Sequence, residues 1–131
     1  MNFNEIIWKE PWLTPIIMNL THIVKTDTVP TVAVSPNGKE LYYNPEFWKR
    51  LSKKEKLGVQ IHELLHIANL HAKRRKHRRF ELWNIACDIA INYQITASGY
   101  ALPKGALTGE DDKSEKQKIK AVCEKSRTVR I

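Results

Sequence analysis

His62, Glu63 and His66 are the residues of this chain whose types and spacing point most directly to chemistry. They belong to the pentapeptide His62-Glu63-Leu64-Leu65-His66, in a run that reads as helix. Residues four apart on a helix stand one above the other on the same face. Two imidazoles so placed reach a single metal ion, at about 2.0–2.1 Å each if the ion is zinc. Glu63 follows its histidine by one residue and so projects to the side of such an ion. A carboxylate there suits a general base acting on a metal-activated water. Short patterns of this kind also arise by chance in His-rich chains, so the flanking residues have to decide.

Apart from Glu63, nothing between Leu57 and Leu70 carries a formal charge with histidine neutral, in a chain where 27% of residues are charged. A helix apolar nearly all round is a buried helix. Buried imidazoles and a buried carboxylate need partners. A core helix whose histidines bond only to backbone carbonyls would explain neither Glu63 nor the four-residue spacing. Ser52 with Glu55 three residues later forms a capping box, which predicts that this helix starts there. It is expected to run to about Leu70 or beyond.

A catalytic zinc takes three protein ligands and keeps one position open. The third is expected from a second helix, Glu81 to about Ala97, which holds no Lys or Arg and is stopped by Ser98-Gly99. Glu81, Asn84, Asp88 and Asn92 form a single polar stripe along it. We expect this stripe to face the His-bearing helix, with Asp88 closing the metal shell and Asn84 and Asn92 supporting the ligands. Cys87 is a softer ligand, but it points about 100° away from the stripe. His71 is the rival. On an unbroken helix it lies roughly 140–180° from the motif histidines. If the helix ends first, His71 could serve as a proton shuttle or oxyanion stabiliser.

These helices need a frame. The first 29 residues read as helical in two pieces, Asn4 to Lys9 and a second beginning near Pro11 and Pro15 and leading into Ile16–Leu20, with Trp8 and Trp12 as core or lid aromatics. Thr31–Val34 and Glu40–Tyr43 flank Ser35-Pro36-Asn37-Gly38-Lys39, and Asn-Gly between β-rich runs predicts a hairpin. Asn44-Pro45 then opens a short helical turn. The expected class is α+β, mostly helical, with a hairpin or small sheet before the His-bearing helix. At 131 residues the chain is one domain. We place that domain at residues 1–107 and a charged C-terminal tail at 108–131.

The charge of +8 is concentrated in one place. Lys73, Arg74, Arg75, Lys76, Arg78 and Arg79 lie in seven residues with no acid among them. Taking those six from the 22 Lys and Arg of the chain leaves 16 against 14 acids. The block suits a nucleic acid or an acidic partner. It suits equally a solvated connector between two buried helices, since no aromatic is interleaved to stack on bases. No apolar run approaches the roughly 18–20 residues of a membrane helix, so no membrane partner is expected. Met1–Glu5 lacks the basic start of a signal peptide. Cys87 and Cys123 sit at no metal-ligand spacing and suit a reducing compartment. A cytoplasmic protein is the expectation.

Four segments recur in order: Asn44-Pro45-Glu46-Phe47, the His62–His66 pentapeptide, Glu81-Leu82-Trp83-Asn84-Ile85-Ala86-Cys87-Asp88-Ile89-Ala90-Ile91-Asn92, and Leu102-Pro103-Lys104-Gly105-Ala106-Leu107. Together they resemble the metallopeptidase domain that in many bacterial proteins precedes a von Willebrand factor A-like domain. The resemblance covers about Pro30 to Leu107. It implies a zincin-like fold, His62 and His66 as zinc ligands, Glu63 as base and Asp88 as third ligand. It also implies hydrolysis of a protein or peptide substrate, in a protein encoded by a bacterium, a phage or a mobile element. Two other readings stand beside it. One is a protease acting near DNA in the manner of the SprT-like proteases, guided by the 73–79 block. The other is a zinc-stabilised binding module or adaptor without turnover.

Overall fold

The computed structural model describes residues 1–106, a mixed α/β arrangement of six helices, one 3-10 turn and a three-stranded sheet. The tail expected at 108–131, with Cys123, lies outside the described residues. The order is α1 (Asn4–Lys9), the 3-10 turn (Pro11–Leu13), α2 (Thr14–Asn19), β1 (His22–Lys25), β2 (Val32–Val34), β3 (Glu40–Tyr43), α3 (Pro45–Arg50), α4 (Lys53–Ala68), α5 (His71–Arg74) and α6 (Phe80–Ala97).

Helix α4 is the axis of the fold. Its start is the expected capping box: Ser52 Oγ accepts from the Glu55 amide at 3.1 Å, and Glu55 Oε1 accepts from the Ser52 amide at 2.9 Å. Every residue from Leu57 to Leu65 except His62 is buried. Against it pack α1, α2, β2 and α6. Ile6, Leu13, Leu41, Leu64, Ile91 and Ile95 are fully enclosed where these elements meet. Each such side chain is worth on the order of 1.5–3 kcal/mol of burial. Gln60, buried on α4, donates to the Asn2 carbonyl at 3.0 Å and ties the amino-terminal segment to the axis.

The hairpin forms as expected, with Val32 opposite Tyr43 and Val34 opposite Leu41. Its turn is closed by Asn37 Oδ1, which accepts from Ser35 Oγ at 2.6 Å and from the Lys39 amide at 3.0 Å. Gly38 has φ 71° and lies against Ile67 of α4, which seats the turn beside the His-bearing helix. The sheet has a third strand that the sequence reading missed. Residues 22–25, assigned to the helical start, pair parallel to β3 from His22 opposite Glu40 to Lys25 opposite Tyr43. The order is β1-β3-β2, so β2 is an edge strand.

Three further expectations are corrected. Trp8 and Trp12 are 86% and 53% exposed, because the short helices bury Ile6, Leu13 and Ile17 instead. Helix α4 stops at Ala68, short of Leu70. Helix α6 is buried on one face only, through Cys87, Ile91, Asn92 and Ile95, so its lack of lysine does not mark full burial. Past α6, Tyr100 donates to Glu10 Oε1 at 2.8 Å, and Ala101 crosses α4 at Gly58. Among the described residues no helix is long and apolar enough to cross a membrane.

Candidate metal centre

Helical periodicity does bring the motif histidines together. On α4, His62 Nε2 and His66 Nε2 lie 3.1 Å apart. Asp88 enters from α6, its Oδ1 3.1 Å from His62 Nε2 and 2.9 Å from His66 Nε2. These are three ligand atoms able to hold one ion. Atoms that share a tetrahedral ion at about 2.0–2.1 Å stand roughly 3.3 Å from one another, so the triangle needs only a slight expansion to accept one.

The outer ring nitrogens bear on whether the triangle could take a cation. His62 Nδ1 donates to Asn92 Oδ1 at 2.7 Å, an amide oxygen that can only accept. A neutral His62 therefore presents a bare lone pair at Nε2. His66 Nδ1 faces His71 Nδ1 at 3.1 Å. Burial, with the neighbouring His66 and Arg74 charges, pushes His71 down to about 4, so this imidazole is neutral and can accept through Nδ1. When His66 donates there, its Nε2 is bare too. Two lone pairs and a carboxylate oxygen then converge within 3.1 Å. Such a set repels itself unless a proton or a metal ion lies among the three.

The directions in which the surroundings push these groups agree. Burial alone would lower His62, but the Asp88 hydrogen bond and the Glu63 and Asp88 charges outweigh it and raise His62 overall. Burial would raise Asp88, but the hydrogen bonds and charges of His62 and His66 hold it well below the usual carboxylate range. Glu63 is 7% exposed, next to the triangle. Burial raises its carboxyl, the two histidines oppose this, and Asp88 adds to it; the net direction is up.

His71 is where the structure departs most from the sequence reading. Helix α4 is capped at Asn69, whose side-chain amide donates to the Leu65 carbonyl at 2.9 Å. Leu70 then takes left-handed angles, φ 54° and ψ 38°. For a residue with a Cβ this costs roughly 1–2 kcal/mol. The turn restarts the chain as α5 and swings His71 back against His66, on the side opposite the triangle. The indole of Trp83 on α6 donates to the His71 carbonyl at 2.6 Å and fastens the corner. Asn84, expected among the supporting groups, is exposed on the wall of a cavity instead. Cys87 is buried and outside the triangle, and burial pushes its thiol up to about 11.

Two hollows meet at this point, sharing Thr31, Val32, His62, Glu63 and Asp88 in their walls. One, of about 250 Å³, is bordered by Leu102–Ala106. The other, of about 670 Å³, runs between the β2 edge with its turn and the α5–α6 corner.

Two imidazoles one helical turn apart, a facing carboxylate and a buried glutamate at the head of a cleft define a candidate metal centre on a mixed α/β frame. The chain belongs to the family described as "Putative metallopeptidase domain", which matches residues 3–125. That match extends to both sides of the Pro30–Leu107 region that carries the sequence motifs. A metal-dependent peptidase is the class the family's description implies. No curated protein and no solved structure matches the chain.

Proposed function

We propose that the chain is a zinc-dependent peptidase of zincin-like fold, with His62, His66 and Asp88 as ligands and Glu63 as general base. The observation that carries this is the convergence of three acceptor atoms within 3.1 Å beside a buried glutamate, at the head of a cleft. Two nitrogens and one oxygen are a donor set suited to zinc with a fourth position open. When bound, zinc supplies Lewis acidity toward a water and toward the scissile carbonyl.

The chain's own groups do the rest. Asn92 and His71 hold the two imidazoles in the tautomer that leaves Nε2 free, as partners of ligating histidines do. The Glu63 carboxylate takes the proton of the attacking water and returns it to the leaving amine. Burial raises its pKa toward working pH, which suits a group that must both accept and give up a proton. The β2 edge borders the same cleft, so an extended peptide can add to it as a further strand, its carbonyl brought toward Glu63.

Elemental analysis of the purified chain should find about one zinc per molecule, since such sites are filled at stoichiometry. Glu63→Gln should keep the zinc and abolish peptide cleavage, and Asp88→Ala should lose the zinc. Zinc retained at full stoichiometry in Asp88→Ala overturns the ligand set. Undiminished cleavage by Glu63→Gln overturns the base.

A further inference from the structure

The fold divides the basic block into two groups with different duties. Arg74 and Arg78 turn back on their own corner. Arg74 Nη1 donates to the Asn69 carbonyl at 3.2 Å, and Arg78 Nη1 to the Arg74 carbonyl at 2.6 Å. The Arg78 guanidinium also lies 4.9 Å from the centre of the Trp83 ring. Lys73 and Arg75 instead line the larger hollow, together with His62, Glu63 and the β2 edge. Arg75 sits over the ring of Phe80 at 5.3 Å, and Phe80 is 59% exposed. Among the described residues, neither Lys73 nor Arg75 takes part in an ion pair. The only carboxylates in that wall are Glu63 and Asp88, both committed to the proposed metal centre.

The cleft that β2 also lines therefore carries two cations with no ion pair of their own among the described residues. A guanidinium held over an aromatic face is restrained in position, with its planar N–H fork left for a planar acceptor. A carboxylate fits that fork through two parallel hydrogen bonds.

We propose that Lys73 and Arg75 form a subsite for an acidic side chain of the substrate, so that the enzyme selects peptides with Glu or Asp close to the scissile bond. The proposal rests on the peptidase reading and names the substrate class of that same cleft. A side-chain carboxylate is favoured over a nucleic-acid backbone because Glu63 and Asp88 lie in the same wall. A run of phosphates entering the cleft would meet both, whereas an extended peptide can bring a single charge to Lys73 and Arg75. The other members of the block contribute to the field that draws acidic chains in.

The test uses the zinc-loaded chain and short fluorogenic peptides that carry Glu, Gln or Lys at each position in turn. Hydrogen bonds to a charged group predict a preference for Glu over Gln of about ten- to a hundredfold in kcat/KM at one position. Arg75→Ala should erase most of that preference, and Lys73→Glu with Arg75→Glu should turn it toward Lys. Zinc content near that of the parent chain shows that each variant has folded. The same peptides are titrated into Glu63→Gln, with and without the Arg75 change, by fluorescence anisotropy. If no peptide is cut but Glu63→Gln still binds acidic peptides through Arg75, the subsite stands and the peptidase reading falls. Equal handling of Glu and Gln at every position, in turnover and in binding, overturns the subsite. So does an oligonucleotide that displaces the acidic peptide and loses its own binding in the same variants.

Discussion

Gly58 sits on α4 one turn before His62, and replacing it with alanine sets two effects against each other. Helix propensity alone favours the change: an alanine in place of a glycine inside a helix stabilises by about 0.8–1 kcal/mol. The packing says the opposite. A Cβ at position 58 would stand 1.8 Å from the Ala101 carbonyl oxygen and 3.0 Å from its carbon. A relaxed carbon–oxygen approach is about 3.3–3.6 Å, so one backbone must move by more than about 1 Å. What it meets is main chain, not the flexible tip of a side chain. That main chain is also anchored on its approach, with the Tyr100 amide on the Ile95 carbonyl at 3.1 Å and the Tyr100 hydroxyl on Glu10 at 2.8 Å. Overpacking costs typically 1–3 kcal/mol, and an anchored backbone belongs in the upper half of that range. The packing term wins, and we expect Gly58→Ala to lose about 1–2 kcal/mol. Urea unfolding of the metal-free chain, followed by far-ultraviolet circular dichroism, measures it. The displaced segment, Leu102–Ala106, borders the smaller hollow at His62 and Glu63, so the variant should also raise KM for peptides. A Gly58→Ala chain more stable than its parent by about 1 kcal/mol, as propensity alone predicts, would refute the close approach.

Asn92→Ala removes the acceptor that holds His62 Nδ1 at 2.7 Å. Loss of such an orienting partner should weaken zinc binding by about 10–100-fold, measured by competition with a chromophoric chelator, and Asn92→Asp should restore it. Unchanged affinity in the alanine variant would remove Asn92 from the metal centre. Ser52→Ala should cost about 1 kcal/mol by uncapping α4. The backbone and side-chain hydrogen bonds of Ser52 hold the Glu55 carboxyl below its ordinary value of 4.5. A carboxyl lowered by folding contributes stability that is present above that ordinary value and is lost as pH falls through the lowered one. Melting curves from neutral pH down into that acid window should therefore converge for parent and Glu55→Gln, whose missing carboxylate is the titrating partner of the Ser52 amide. A gap that stays constant to the lowest pH would exclude Glu55 as its source.

The parts of this molecule that were legible in the sequence are those governed by a short fixed period. His62 and His66 meet because four residues return a helix to the same face, and Asp88 and Asn92 share a face of α6 for the same reason. The Ser52–Glu55 cap and the Asn37-Gly38 turn were legible because few residue types satisfy those geometries. Strand β1 was not. It is four residues long and wholly exposed, so it shows no alternation, and its partner β3 lies 18 residues further on. Trp8 and Trp12 misled because large aromatics suggest a core, whereas α1 and the 3-10 turn each bury a single side chain, Ile6 and Leu13.

The corner at Leu70 failed for a different reason, and it matters most for the site. A left-handed residue after a helix is usually glycine or asparagine, and leucine carries no such signal. Asn69, whose side chain bonds back to the Leu65 carbonyl, was the available hint. Local preference would have continued the helix and pointed His71 away, leaving His66 Nδ1 to water or to nothing. The observed chain accepts a strained residue, restarts as α5, and secures the new direction with the Trp83 indole on the His71 carbonyl. One turn thereby does two things. It sets His71 Nδ1 beside His66 Nδ1, and it places Lys73 and Arg75 in the lining of the cleft that β2 also borders. The turn at Leu70 thus shapes both the candidate metal centre and the proposed substrate subsite, and the local signals that α4 would continue were overruled by contacts that only the folded chain contains.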